Sequence, residues 1–127
     1  MTVLREVYKC SVCGNVVEVV YNSVGELVCC NQPMVKLNPK TQDQGLEKHV
    51  PVVEESGNGL NIKVGSVEHP MEEKHYIKFI EVLTKDKVLR AELNPGQKPA
   101  ASFSCIKKSD LIEVREYCNV HGLWNTK

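Results

Sequence analysis

Long apolar runs are missing from this sequence: nothing in its 127 residues approaches the roughly 18 that a membrane-crossing helix requires. The first residues, Met1-Thr2-Val3-Leu4-Arg5-Glu6, lack the charged-then-apolar order of a secretion signal. The expected location is therefore the cytoplasm, away from any membrane. Charge of one sign is missing too. With 16 basic and 16 acidic residues the formal net charge is zero, so no global field exists to hold nucleic acid. Aromatic residues are scarce at 6%, but a hydrophobic share of 42% still fits a folded globular chain. Internal repeats, low-complexity stretches and convincing helical periodicity are all absent.

What is present is cysteine, six residues in a setting where thiols stay reduced, which favours metal binding or redox work over a disulfide framework. Four of them, Cys10, Cys13, Cys29 and Cys30, fall in the first thirty residues among the strand-like runs 16–20 and 26–28, with Asn22-Ser23-Val24-Gly25 read as a hairpin turn. A segment this short cannot bury enough apolar surface to hold itself together, and a metal staple accounts for its cysteine density. Cys10-x-x-Cys13 lets two thiolates face one ion, and the second pair completes a tetrahedral set. Adjacent cysteines in an extended strand point to opposite faces, so chelation by both Cys29 and Cys30 requires a local bend. Sulfur ligands suit zinc or iron alike, and on this module alone zinc leads.

A polar stretch with a proline and a glycine, Asn38 to Gly45, reads as a linker. We divide the chain into a small N-terminal module, 1–37, and a larger domain, 38–127, joined by a linker of about 38–46. The larger part alternates apolar and polar residues over 60–64, 75–82, 88–93, 101–106 and 111–115, separated by turn signals at Gly57-Asn58-Gly59, Lys85-Asp86-Lys87 and Asn94-Pro95-Gly96. Short strands at this spacing predict an all-β sandwich close to immunoglobulin size.

All four histidines, His49, His69, His75 and His121, lie in that sandwich, at expected strand ends and turns, and Cys118 and His121 form Cys-x-x-His. A structural zinc site has no use for a fifth ligand. Four imidazoles with one thiolate suit iron, which takes five or six, and leave one position open. An axial thiolate pushes electron density toward whatever binds opposite, favouring reduction of an oxygen species. Ferrous iron with four neutral imidazoles and one thiolate carries a net positive charge, attractive to a small anion, and Lys48 adds to it.

Several blocks resemble the desulfoferrodoxin family across nearly the whole chain: Tyr8-Lys-Cys-Ser-Val-Cys-Gly14, Leu27-Val-Cys-Cys30, Glu47-Lys-His-Val-Pro51, Gly65-Ser-Val-Glu-His-Pro-Met-Glu-Glu-Lys-His75 and Glu116-Tyr-Cys-Asn-Val-His-Gly122. The resemblance implies a rubredoxin- or desulforedoxin-like module whose Cys10, Cys13, Cys29 and Cys30 hold an electron-transferring iron. It further implies an immunoglobulin-like domain whose His49, His69, His75, His121 and Cys118 hold a catalytic iron, two irons in all. The implied activity is superoxide reduction to hydrogen peroxide, in antioxidant defence, with electrons from a reduced donor such as rubredoxin. Glu47 resembles the family's glutamate that occupies the open position in the ferric state, and Lys48 its superoxide-attracting lysine. His121 is expected to ligate through Nδ1, because its loop is tight, and the other histidines through Nε2. A homodimer is implied as well.

Cys105 matches no ligand position and reads as a small core residue. Tyr117 and Trp124 flank the Cys118–His121 loop, where packing or shielding of the thiolate would be their role. Two rival readings are an electron-transfer protein with a ligand-saturated histidine iron and a zinc-stabilised binding module. A dismutase would also have to oxidise superoxide, against the bias of the axial thiolate.

Overall fold

The computed structural model describes residues 1–42 and 48–126. Its strands divide between two compact units, Met1–Asn38 and Pro39–Lys127. In the first unit β1 (Val7–Lys9), β2 (Val16–Glu18) and β5 (Val35–Leu37) form a sheet in the order β2-β1-β5, while β3 (Val28–Cys29) and β4 (Gln32–Pro33) pair as a separate ribbon. Its buried apolar side chains, among the described residues, are Val7, Cys10 and Val19. Three buried apolar side chains are too few to stabilise a segment of this length on their own. The unit therefore depends on a staple.

The turn expected at Asn22–Gly25 is not a hairpin between the strands on either side, because β2 pairs with β1 and β3 with β4. The tight turn falls instead at Cys30-Asn31, where both residues have positive φ, 52° and 64°. That is the φ signature of a type I′ turn, whose twist matches a two-residue hairpin. It supplies the bend that adjacent cysteines need.

The second unit is a sandwich. One sheet holds β6 (Pro51–Ser56), β7 (Gly59–Val64) and β10 (Ala100–Ser104) in the order β10-β7-β6. The other holds β8 (Ile77–Leu83), β9 (Val88–Glu92), β11 (Glu113–Cys118) and β12 (Gly122–Thr126) in the order β12-β11-β8-β9. Leu60, Ile62 and Val64 of β7 meet Ile77, Ile80 and Val82 of β8 and Val114 and Cys118 of β11 in one buried cluster. The seven strands in two antiparallel sheets make the immunoglobulin-like architecture that the alternation predicts. The only helical element among the described residues is a 3-10 turn, Lys108–Asp110, and no helix is long and apolar enough to cross a membrane.

Local chemistry sets the boundaries. The β6–β7 hairpin closes through Gly57, at φ 59°, and Asn58, and a Cβ added at Gly59 would come within 2.3 Å of the Phe103 carbonyl oxygen. Asn94-Pro95-Gly96 makes a tight turn, with Gly96 at φ 90° and Gln97 N–H donating to the Asn94 carbonyl at 3.2 Å. Strands β6 and β12 carry no strong alternation in the sequence, and reading the chain by periodicity misses both.

Cys105 is not a core residue. Strand β10 stops at Ser104, Cys105 takes a left-handed φ of 60°, and its side chain is exposed. The left-handed residue inverts the strand's alternation, so that Ile106, not Cys105, turns into the core.

Two candidate metal centres

Among the described residues, each unit gathers one cluster of metal-ligating side chains whose donor atoms all lie within 4.8 Å of one another. In the first unit the cluster is Cys10, Cys13, Cys29 and Cys30. The Cys10–Cys13 turn aims the backbone N–H groups of Val12 and Cys13 at the Cys10 sulfur, each at 3.4 Å. Gly14, at φ 84°, lets the chain leave that turn. Cys13 and Cys29 sulfurs stand 3.6 Å apart, and Asn15 Nδ2 donates to Cys29 at 3.8 Å. A tetrahedral ion with sulfurs at about 2.3 Å would hold them about 3.8 Å apart, so the quartet fits such an ion. The thiols do not ionise alike. The two backbone N–H groups pull Cys10 down to about 6, whereas hydrogen bonding with Cys13 and Cys10 pushes Cys30 up to about 12. Four thiolates repel one another, and a central cation removes that conflict.

The second cluster draws its five residues from different parts of the sandwich. His49 precedes β6, His69 lies beyond β7, His75 precedes β8, Cys118 ends β11, and His121 sits in the β11–β12 turn. At the end of β11 the register against β8 slips, Tyr117 pairing with Phe79 and Cys118 with Ile77, a bulge of the kind found beside functional sites. The three-residue turn from Cys118 to Gly122 closes with Gly122 at φ 88°.

Around this point the imidazoles form a closed ring. Neighbouring centroids are 4.8 Å apart for His49–His69, 4.8 Å for His69–His75, 5.0 Å for His75–His121 and 4.7 Å for His121–His49, all edge to face. His69 Nδ1–H donates to the Pro70 carbonyl at 2.7 Å, which leaves Nε2 with its lone pair 3.2 Å from His49 Nε2. His49 Nε2 is also 3.1 Å from His121 Nδ1. One proton on His49 can bridge a single one of these contacts. His75 Nε2 is buried without a hydrogen-bond partner. Nitrogens bound at about 2.1 Å and at right angles stand about 3.0 Å apart, so a single cation fits the nitrogens that these contacts define.

At His69 and His75 the surroundings favour the neutral imidazole that a metal requires. Burial, aided by the neighbouring histidines, pushes His69 down to about 4. Burial also lowers His75, with His121 and Lys48 acting in the same direction. Burial raises the Cys118 thiol, opposed by backbone N–H groups of His121 and Val120 and by the charge of Lys40. Cys10-x-x-Cys13 and Cys118-x-x-His121 thus share one local design, in which the first cysteine's sulfur accepts from the second and third following N–H groups.

Lys48 stands beside His49 in the chain; Glu47 lies outside the described residues. Sequence reasoning left the role of Trp124 open between packing and shielding. Its ring stacks on His49 at 4.6 Å and 15°, and its Nε1–H donates to the His121 carbonyl at 3.1 Å. Tyr117 stacks on Phe79 at 5.8 Å.

A rubredoxin-like four-cysteine module followed by a sandwich with a four-histidine, one-cysteine cluster defines a two-centre metalloprotein. The family model for desulfoferrodoxin matches residues 41–127, and that for the desulfoferrodoxin N-terminal domain matches residues 2–37. The chain belongs to the desulfoferrodoxin family. It is 55% identical over 126 residues to a desulfoferrodoxin homolog of Archaeoglobus fulgidus, covering 99% of both chains. A superoxide reductase of Pyrococcus abyssi is 31% identical, over 74% of this chain and 96% of its own. The crystal structure of the superoxide reductase from Treponema pallidum aligns with a TM-score of 0.77 and 27% identity, over 96% of this chain and 97% of that one.

Proposed function

We propose that this chain is a superoxide reductase, with iron held by His49, His69, His75, His121 and Cys118, and a second, electron-transferring iron held by Cys10, Cys13, Cys29 and Cys30. The observation that carries the proposal is the convergence of four imidazoles, in a ring, with one cysteine. Zinc is satisfied by four ligands, whereas iron uses five or six. The superoxide reductases of Pyrococcus abyssi and Treponema pallidum support the same reading.

When bound, the iron at the histidine centre supplies a single electron and a positive charge that attracts a small anion, and its thiolate ligand favours the reductive direction. The surrounding residues have separate tasks. The Pro70 carbonyl fixes the His69 tautomer. Backbone N–H groups of Val120 and His121 partly offset the burial that raises the Cys118 thiol, and so ease its loss of a proton to a metal. Trp124 covers one face of His49. Lys48 contributes the local positive charge that draws superoxide inward, and Glu47 is assigned the carboxylate that occupies the centre in its oxidised state. One superoxide, one electron and two protons give one hydrogen peroxide, without release of oxygen.

The electron comes from a reduced donor, a small redox protein such as rubredoxin, and reaction in the cytoplasm by a homodimer would serve antioxidant defence. Residues 1–37 form the electron-transferring module and residues 38–127 the catalytic domain. The test is product stoichiometry under a steady flux of superoxide with reduced donor. We expect one hydrogen peroxide per superoxide consumed and no oxygen. Half that peroxide with evolved oxygen would make the protein a dismutase, and no superoxide consumption would leave electron transfer alone.

A further inference from the structure

Among the described residues that precede His49, Lys40, which no family block quoted above contains, also reaches the histidine centre. Its backbone is pinned to the edge of β12: Lys40 N–H donates to the Leu123 carbonyl and Asn125 N–H to the Lys40 carbonyl, both at 2.9 Å. This parallel bridge sets Lys40 against Trp124. The ammonium then does two things. It donates to the His121 carbonyl at 3.1 Å, and it lies 5.1 Å from the centre of the Trp124 ring. The His121 carbonyl thus accepts from both Lys40 Nζ and Trp124 Nε1, the latter also at 3.1 Å. Through Trp124 the same contact extends to His49, on which the indole is stacked.

We propose that Lys40 is a positioning residue of the histidine centre, clamping Trp124 and the His121 loop so that His49 and His121 stay in register, while its charge raises the reduction potential of the metal they hold. The clamp follows from the hydrogen bonds and the cation over the indole, a contact whose strength at an exposed site is about 0.5–1 kcal/mol. The charge effect follows from electrostatics. Oxidation adds positive charge to the centre, and a fixed cation nearby opposes it. This inference rests on the proposal that the histidine cluster holds iron.

Trp124 is the sole tryptophan of the chain, so its emission reports on this centre and not on the four-cysteine module. The experiment compares wild-type protein with Lys40→Met, which keeps the aliphatic stem, and Lys40→Arg, whose guanidinium can both donate to a carbonyl and stack on an indole. Two readouts are taken: acrylamide quenching of Trp124 in the metal-free full-length protein, and the midpoint potential of the histidine centre in the iron-loaded protein. Lys40→Met is expected to raise the quenching constant about 2- to 5-fold, the factor corresponding to the lost contact, and to shift the potential to more negative values. Lys40→Arg is expected to restore both. Either readout unmoved in Lys40→Met, or an arginine variant that behaves like the methionine one, overturns the assignment. If wild-type Trp124 emission ignores added ferrous iron, the fault lies with the metal-centre proposal instead.

Discussion

The side-chain oxygen of Asn119 accepts the backbone N–H of Tyr76 at 2.9 Å, and the Tyr76 carbonyl accepts the backbone N–H of Asn119 at 3.2 Å. Asn119 Nδ2 completes the link by donating to the Lys74 carbonyl at 3.0 Å. Both chain neighbours of His75 are thereby tied to the neighbour of Cys118. Asn119→Ala removes two of these bonds and frees the two segments to shift apart. We expect iron affinity at the histidine centre to fall about 10–100-fold, as for other partners that orient metal ligands, with the four-cysteine centre unchanged. Chelator competition followed separately at the two centres measures this, and equal loss at both would show a general folding defect.

Lys48 acts at a distance, through charge. Its charge acts in the same direction as burial and His121 in lowering His75. Lys48→Ala should slow superoxide capture chiefly at low ionic strength, since at about 0.1 M salt the screening length is only about 10 Å. Rate constants measured across a salt series decide the matter, and a deficit independent of salt would speak against steering.

Stability of the larger domain hinges on Glu81, fully buried on the face of β8 away from the core. Its two carboxylate oxygens accept from Arg115 Nε at 2.6 Å and Arg90 Nε at 2.7 Å, each on a flanking strand directly opposite. Glu81→Ala removes the buried carboxylate that Arg115 and Arg90 share, and losing one partner of a buried ion pair costs about 3–5 kcal/mol. Urea unfolding should show the midpoint dropping with the slope preserved. A loss below about 1 kcal/mol would mean that the arginines find other partners.

In the N-terminal module Glu6 accepts from Val3 N–H at 2.7 Å and Tyr8 Oη–H at 2.9 Å and pairs with Lys36 at 3.2 Å. The Val3 bond, followed by that of Tyr8, holds its carboxyl below the usual range. A lowered carboxyl favours the folded state above its ordinary value, and that contribution disappears as pH falls through the folded one. Glu6→Gln should therefore be less stable than wild type at neutral pH, with the two converging in acid. Unfolding of the module followed at its cysteine centre would show this, whereas a gap constant with pH would contradict it.

Much of this was legible because ligand spacing and strand alternation are local signals. Cys10-x-x-Cys13 and Cys118-x-x-His121 announce the same turn, and the alternation in 60–64 and 75–82 announces the buried faces of β7 and β8. What escaped was set by contacts distant in the chain. The Cys30-Asn31 turn carries no Asn-Gly signal, and only pairing of β3 with β4 fixes it. Cys105 sits among apolar letters, yet one left-handed residue reverses which side chain faces inward. Lys40 looks like linker until β12 is in place beside it.

The most direct measurement is stopped-flow mixing of fully reduced, iron-loaded protein with one equivalent of superoxide, in wild type and in Cys118→Ser. Our account predicts that wild type oxidises the histidine-centre iron with one hydrogen peroxide formed and no oxygen. It predicts that Cys118→Ser loses this reaction while the four-cysteine iron keeps its spectrum. An unimpaired serine variant, or a reduced wild-type centre that ignores superoxide, would contradict it.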